Sequence, residues 1–285
     1  MTKKELAIAS YCNTAWAPHL AALILLIIDN CQKKDILFHF FVLDIQLTDT
    51  DRQMLKTIVS IKREKASIEF LTIDNHLVRR TDQELSKVAN ARILLPALLK
   101  NQSTEKILYL DCDMIALEDI SELWAVDFSG HVISAVEDAS FHHPSIEVDL
   151  PIKTLLCFDS GAIVVDVLKW NQLGITKKVL ENIKRYPNKL ECHDQEALNV
   201  VLYNQWYRLH SKWNVQTYIL NKTKRHPTFI GEKEYREARK RPYIIHYSGQ
   251  PKPWQPAFQH PSKNYYELYT TQVKSLLRLL ENLVG

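Results

Sequence analysis

Two carboxylates two residues apart, Asp111 and Asp113, close a short apolar run made of Ile107, Leu108, Tyr109 and Leu110. The run reads as a buried strand, and on extended backbone residues two apart point to the same side. A carboxylate at the end of a buried strand needs water, a cation or a hydrogen-bond donor, because leaving it dry and unpaired carries a large desolvation cost. A divalent metal shared with a phosphate-bearing ligand satisfies both at once, since hard cations take one or two protein carboxylates and complete their shell with phosphate oxygens and water. The plain alternative is a strand end and an acidic turn, with Glu118 and Asp119 at the positive end of a short helix. The Asp-x-Asp spacing alone does not separate the two.

Other segments carry residues of the same kind. In FDSGAIVVDVLK, Asp159 and Ser160 precede Gly161, which permits close backbone approach; the segment reads as a turn and then a strand over 162–165, with Asp166 capping the next turn. In HDQEALN, Asp194 is a natural helix N-cap that puts Gln195 in the first turn, which by itself is only a cap. In IIHYSGQPKPW a strand with His246 runs into a turn at Gly249 and a lysine, Lys252, held between prolines. That is a diphosphate clamp or an ordinary Pro-rich turn. Arg92 sits in an apolar helical pattern over 86–99 and is an ordinary snorkelling residue unless an anion fixes it.

The elements that must position these residues alternate. Strands are expected over 6–10, 38–43 and 67–73, with helices over 18–30 and 49–61 between them, the start of a doubly wound sheet. Pro96 predicts a kink or two short helices over 86–99. A fifth strand over 132–137 ends at Glu137 and Asp138, and the polar loop over 141–151 is a candidate lid or acceptor-recognition segment. Further on, the pattern predicts a helix over 173–186, a strand over 206–209, an irregular region over 213–229 and a final helix over 262–283. That last helix either docks on the body, pairs with another subunit or lies at a membrane surface; docking is the favoured reading.

Composition sets the outer bounds. A chain of 285 residues with 46% hydrophobic content can bury a full core, and a formal charge of +3 without a basic, aromatic-rich patch argues against nucleic acid. The five cysteines are scattered without CxxC spacing, so neither a disulfide framework nor a structural zinc site is suggested. The N-terminal residues lack the pattern of a secretory signal, and the longest apolar run, 20–28, is too short to span a bilayer. The expected location is cytoplasmic, with a peripheral membrane contact through the C-terminal helix left open.

Together, LYLDCDMIALEDISELW, FDSGAIVVDVLKW, HDQEALN and HYSGQPKPW, in that order, resemble family 8 glycosyltransferases of the GT-A fold. That group contains glycogenin-like enzymes and bacterial galactosyl- and glucosyltransferases of lipopolysaccharide or glycoprotein assembly. The resemblance covers residues 6–254 and implies an α/β fold with a Rossmann-like mixed central sheet flanked by helices. It further implies one catalytic domain over 1–256 and a helical extension over 257–285. By the same resemblance, Asp111, Asp113 and His246 hold a divalent cation, Mn²⁺ or alternatively Mg²⁺, and Lys252 and Gly249 receive the diphosphate of UDP-galactose or UDP-glucose. Arg92 matches an arginine that reaches the donor, Asp138 a residue binding its sugar, and Asp194 and Gln195 the pair beside the anomeric carbon. Asp159, Ser160 and Gly161 fall where the family has donor contacts; Cys12, Asn13, Trp16 and Cys112 complete the donor-binding set.

Four positions depart from the family pattern. Asn13 and Trp16 stand where an Asp and a Tyr that stacks on uracil are common, Asp159 replaces an Asn, and Asp166 replaces another. Trp16 can stack at least as well as Tyr, and Asn13 can still hydrogen-bond a base edge. Family members transfer with retention of configuration, and an amide at Gln195 favours a front-face mechanism over a carboxylate nucleophile. The acceptor class is a saccharide, a lipid-linked glycan or a glycoprotein. The rivals are a haloacid-dehalogenase-type phosphatase, whose Asp-x-Asp normally lies near the N-terminus, and a nucleotide-sugar-binding protein with little or no transfer.

Overall fold

The computed structural model describes residues 4–61, 64–72, 91–99, 104–138, 156–186, 193–220 and 232–284. The expected loop over 141–151, residues 86–90 of the expected helix and 221–229 of the expected irregular region lie outside the described residues.

The first strand, β1 (Lys4–Cys12), leads through a short turn into helix α1 (Ala17–Asn30). Pro18 stands in the first turn of α1, where its missing N–H costs nothing, and the side-chain oxygen of Asn13 accepts from the Trp16 N–H at 3.2 Å. Leu20 to Ile28 are buried on every side of α1, because the sheet, helix α2 (Asp49–Ile61) and the C-terminal helix all pack around it. Thr48 caps α2: its hydroxyl accepts from the Asp51 N–H and the Asp51 carboxylate accepts from the Thr48 N–H, a reciprocal capping box. Strands β2 (Ile36–Asp44) and β3 (Ala66–Leu71) are followed by α3 (Ala91–Leu98), which keeps Pro96 inside one short helix.

Next come β4 (Lys106–Leu110), β5 (Met114–Ala116), the short α4 (Ser121–Trp124), β6 (Ile133–Glu137) and β7 (Phe158–Asp166). The central sheet has the order β3-β2-β1-β4-β7-β6-β8, where β8 is Trp206–Leu209. From β3 to β4 all neighbours are parallel, whereas β7 runs antiparallel to both β4 and β6, which makes the sheet mixed. The chain winds outward from β1 to β3 and then returns to place β4 on the other side of β1. Such a reversal opens a crevice beyond the carboxyl ends of the two strands.

Helices α5 (Val167–Gln172), α6 (Ile175–Arg185) and α7 (His193–Val201) cover one face with α3, and their apolar sides meet Ile107, Tyr109, Ile163 and Val165 of the sheet. The expected single helix over 173–186 is thus a helix start at Ile175, with Gly174 at φ +62 breaking it from α5. Asp166 caps α5 by accepting from the Lys169 N–H at 2.8 Å.

The region expected to be irregular from 213 carries short regular pieces. These are β9 (Val215–Gln216) and α8 (Thr217–Leu220), with α9 (Glu232–Lys240) following and leading to β10 (Ile244–His246). A second, three-stranded sheet has the order β5-β10-β9. Too few residues make up each strand for a sequence period to show, and pairing across the chain stabilises them instead. The last helix, α10 (Lys263–Val284), docks on α1 with Tyr266 and Val273 in the core. No helix among the described residues is long and apolar enough to cross a membrane.

Candidate active site and metal centre

β4 carries its apolar residues into the sheet and releases the chain at Asp111, whose N–H is held by the Gly161 carbonyl of β7 at 2.8 Å. Three residues on, β5 starts, and its antiparallel register with β10 sets His246 opposite Met114. The small sheet therefore delivers an imidazole from near the end of the chain to the two aspartates. His246 Nε2 lies 3.4 Å from Asp113 Oδ1 and 4.0 Å from Asp111 Oδ2, and one ligand atom from each residue lies within 4.8 Å of the others.

Glycine at 161 is required for this approach. A Cβ there would fall 2.5 Å from His246 Cε1 and 2.8 Å from Asp111 Oδ2. Asp159, Ser160 and Gly161 do not form the expected turn. They lie within β7, buried and in line, next to the side chains of Asp111 and His246.

Each carboxylate meets its own counter-charge. Asp113 pairs with the Lys252 ammonium, which also donates to the Tyr247 carbonyl. Asp111 accepts from the Tyr109 hydroxyl and faces Arg92 Nη2 at 3.3 Å. Burial pushes Asp111 up to about 6 despite Arg92. Burial acts on Asp113 in the same direction, but His246 and Lys252 outweigh it and hold its carboxyl well below the usual range. For His246 burial disfavours the charged ring, yet Asp159 and Asp113 prevail and push it up to about 10. Two carboxylates and one imidazole, gathered around one point and compensated by cationic neighbours, form a donor set that fits a divalent cation accepting both oxygen and nitrogen ligands. The buried Ser248 hydroxyl, without a hydrogen-bond partner among the described residues, lines the cavity beside Gly249 and Lys252. Its free donor suits an anion there.

Gly249 (φ +78) takes the left-handed conformation that the turn needs. Trp254, just past Lys252, stacks on His19 with centroids 3.8 Å apart and meets Trp16 edge-on at 5.1 Å. Tyr266 of α10 is hydrogen-bonded to His19 Nδ1 at 2.6 Å, so the C-terminal helix braces the lysine-bearing loop.

The other end of the cavity is a mesh of side chains. Arg92 projects from α3, donates to Ser160 Oγ at 2.7 Å and places Nε 2.9 Å from Asp194 Oδ2, with Tyr109 beneath its guanidinium. It is therefore drawn inward by acidic partners instead of snorkelling. Gln195 bridges two elements: Oε1 accepts from Ser160 N and Oγ at 3.0 and 3.1 Å, and Nε2 donates to Asp138 Oδ2 at 2.8 Å. Tyr218 of α8 donates to the other Asp138 oxygen. Asp194 is not an N-cap, since α7 starts at His193 and the carboxylate lies inside its first turn, aimed at Arg92.

Both ends open into one cavity of about 550 Å³. Every expected site residue lines it except Cys12 and Asn13: the Cys12 thiol is turned to the Asn13 carbonyl and the Asn13 oxygen to Trp16. Sequence reasoning missed Tyr11, Tyr218, Ser248 and Gln250 on the lining and Asn214 behind it. Of these, Ser248 and Gln250 stand on either side of Gly249 and were within reach of the glycine-turn signal, whereas Asn214 and Tyr218 lie in short segments with no local pattern.

The family model for glycosyl transferase family 8 matches residues 7–257. General stress protein A of Bacillus subtilis is 35% identical over 280 residues, covering 96% of each chain. The lipopolysaccharide 1,2-glucosyltransferase of Escherichia coli is 30% identical over 168 residues, which is 58% of this chain but only 48% of that protein. A solved structure of the galactosyltransferase LgtC in complex with donor and acceptor sugar analogues shares the fold, with a TM-score of 0.76 at 18% identity over 94% of this chain and 96% of that one. The mixed sheet is accordingly the GT-A arrangement, and the chain belongs to glycosyltransferase family 8.

Proposed function

We propose that this chain is a metal-dependent retaining hexosyltransferase that moves galactose or glucose from a UDP-sugar to a saccharide or glycoconjugate acceptor. The observation that carries the reading is the single cavity in which a cation-ready trio and a lysine stand at one end and a mesh of carboxylates, amide and guanidinium at the other. A diphosphate sugar has the same division of chemistry along its length: two adjoining phosphates, then a ring of hydroxyls.

Asp111, Asp113 and His246 would hold Mn²⁺, with Mg²⁺ as the alternative. When bound, the cation supplies electrostatic stabilisation of the departing diphosphate. Lys252, on its braced loop, gives a fixed positive charge to the same phosphates, and Gly249 leaves room for them to approach the backbone. Trp16 offers its ring to the base, with Asn13, Cys12 and Cys112 shaping the strand ends behind it. Asp138 accepts hydrogen bonds from sugar hydroxyls, exchanging its present neutral partners Gln195 and Tyr218 for them, and Asp194 accepts from a sugar hydroxyl while keeping its ion pair with Arg92. Gln195 holds a neutral amide at the reacting face. It cannot become a covalent nucleophile, and a front-face displacement in which the leaving phosphate oxygen helps to deprotonate the acceptor follows from that. Isolation of a covalent sugar adduct on Asp159 or Asp194 during turnover would refute the front-face route.

Family relatives such as the lipopolysaccharide 1,2-glucosyltransferase support a glycan acceptor. A lipid-linked glycan or a glycoprotein is the proposed class, with α10 as the candidate element for a peripheral membrane contact or for self-association, and the cytoplasm as the compartment. The test is incubation of purified protein with Mn²⁺ and a panel of nucleotide sugars, measuring released nucleotide. Release from UDP-galactose or UDP-glucose is expected. No release with any donor, with or without candidate acceptors, would leave a nucleotide-sugar-binding protein in its place.

A further inference from the structure

His246 is held from behind as closely as it faces the aspartates. Its Nδ1 lies 3.1 Å from Asn214 Oδ1 and 3.3 Å from Asp159 Oδ1. The Asn214 amide nitrogen in turn donates to Asp159 Oδ1 at 2.8 Å, and the Gly161 N–H donates to the same oxygen at 2.9 Å. Asp159 and Asn214 are both buried, Asn214 completely, and they come from different sheets: Asp159 from β7 and Asn214 from the residue just before β9. The imidazole thus sits between two layers, with the cation-ready oxygens on its Nε2 side and an amide–carboxylate pair on its Nδ1 side.

This arrangement decides which nitrogen carries the proton. The acceptor oxygens of Asn214 and Asp159 lie nearer to Nδ1, at 3.1 and 3.3 Å, than those of Asp113 and Asp111 lie to Nε2, at 3.4 and 4.0 Å, so a ring that gives up a proton to a cation held by the aspartates keeps its hydrogen on Nδ1 and turns the Nε2 lone pair to that cation. A ring free to take either tautomer, or to rotate about its own axis, would present the lone pair to that point only part of the time. Carboxylates that accept from the far nitrogen of a ligating histidine both orient the ring and increase its basicity. Resting on the metal-centre reading above, we propose that Asp159, acting with Asn214, is the positioning residue for His246 as a metal ligand, and not a contact to the transferred sugar.

The one-atom difference between Asp and Asn at 159 gives this assignment its chemical content. An Asn at 159 keeps an oxygen able to accept from Asn214 or from Gly161 but brings a neutral amide beside Nδ1, and its NH₂ competes for the acceptors that fix the ring. The charged form supports the imidazole; the amide form frees the side chain for a hydroxyl. Asp159→Asn therefore acts on the metal end of the cavity, although the position lies next in sequence to Ser160, which belongs to the sugar-end mesh through Arg92 and Gln195.

The test compares Mn²⁺ affinity, by isothermal titration without any nucleotide sugar, for wild type, Asp159→Asn and Asn214→Leu. Side-chain ¹⁵N NMR of the histidines is recorded in parallel with Zn²⁺ as a diamagnetic probe. Expected are a loss of affinity of about 10- to 100-fold in Asp159→Asn, an equal or larger loss in Asn214→Leu, and a His246 signal that changes from a single Nδ1-protonated form to a mixture. Circular dichroism and Tm of Asp159→Asn establish that the protein is folded, and if Asn214→Leu does not fold, Asp159→Asn alone decides. Wild-type Mn²⁺ affinity and an unchanged His246 spectrum in Asp159→Asn, with only the KM for donor altered, would overturn the assignment and leave the metal centre intact. Failure of wild type itself to bind Mn²⁺ would instead remove the metal centre, and the assignment with it.

Discussion

The two ends of the cavity solve the problem of buried charge differently. At the proposed metal end each acidic group has a cationic neighbour, drawn from a strand, a loop and a helix: Asp113 has His246 of β10 and Lys252 of the following loop, and Asp111 has Arg92 of α3. At the proposed sugar end Asp194 keeps a charge pair with Arg92, but Asp138 is held by neutral donors, the Gln195 amide and the Tyr218 hydroxyl, both on helices. Charge pairs in a dry site are expensive to disturb, whereas neutral hydrogen bonds exchange for those of a sugar at small net cost. A permanent anchor and an exchangeable mesh follow from that difference. Among the described residues Arg92 joins them, touching Asp111 at one end and Ser160 and Asp194 at the other.

The strongest way to break the contrast is at the anchor. Asp113→Asn removes the carboxylate shared by His246 and Lys252, and turnover with Mn²⁺ falls by roughly 10²- to 10³-fold or more, while far-ultraviolet circular dichroism stays unchanged. Unimpaired steady-state turnover in that variant would remove Asp113 from the metal centre.

Acid reaches the same anchor without mutation. With the proposed ligand set, metal binding needs His246 and Asp111 deprotonated, and their pKa values are raised to about 10 and about 6. A raised pKa means that the proton competes over a wider range, so apparent Mn²⁺ affinity drops as pH falls. From pH 8 to pH 7 one proton is displaced and the drop is about tenfold; below pH 6 a second competes and the slope approaches about a hundredfold per unit. Titrations at several pH values, with proton release measured in buffers of different ionisation enthalpy, check both slopes. A flat profile would mean that His246 does not ligate.

At the mesh the expected effect is smaller and of another kind. Gln195→Ala unties Asp138 from Ser160 and lowers kcat by about 10- to 30-fold, a loss of about 1.4 to 2 kcal/mol in barrier stabilisation, while Mn²⁺ affinity stays at the wild-type value. Equal losses in both quantities would show that the two ends are one unit.

How much of this is legible in the sequence depends on the range of the interaction. The β1–α1–β2–α2–β3 succession follows from local apolar patterns, capping at Thr48 and Pro18, and the structure has it within two residues at each boundary. Gly249 and Lys252 announce their turn for the same local reason. Asp159, Ser160 and Gly161 mislead because their composition is that of a turn, yet Phe158 pairs with Glu137 on one side of them and Ala162 with Leu110 on the other, which holds the stretch between extended within β7. Asp194 misleads in a similar way: a good cap residue placed one step inside the helix by its bond to Arg92. Asn214 is out of reach altogether. Its task depends on Asp159, 55 residues away, and on His246, 32 residues away, and no period or spacing relates them.

The most direct measurement is a crystal structure of the protein soaked with Mn²⁺ and UDP, with the metal located by its anomalous scattering. The expected result is one ion at about 2.0–2.3 Å from Asp111, Asp113 and His246 Nε2, with diphosphate oxygens between it and Lys252. An ion bound elsewhere in the cavity, or held by the aspartates with His246 turned away, would contradict it.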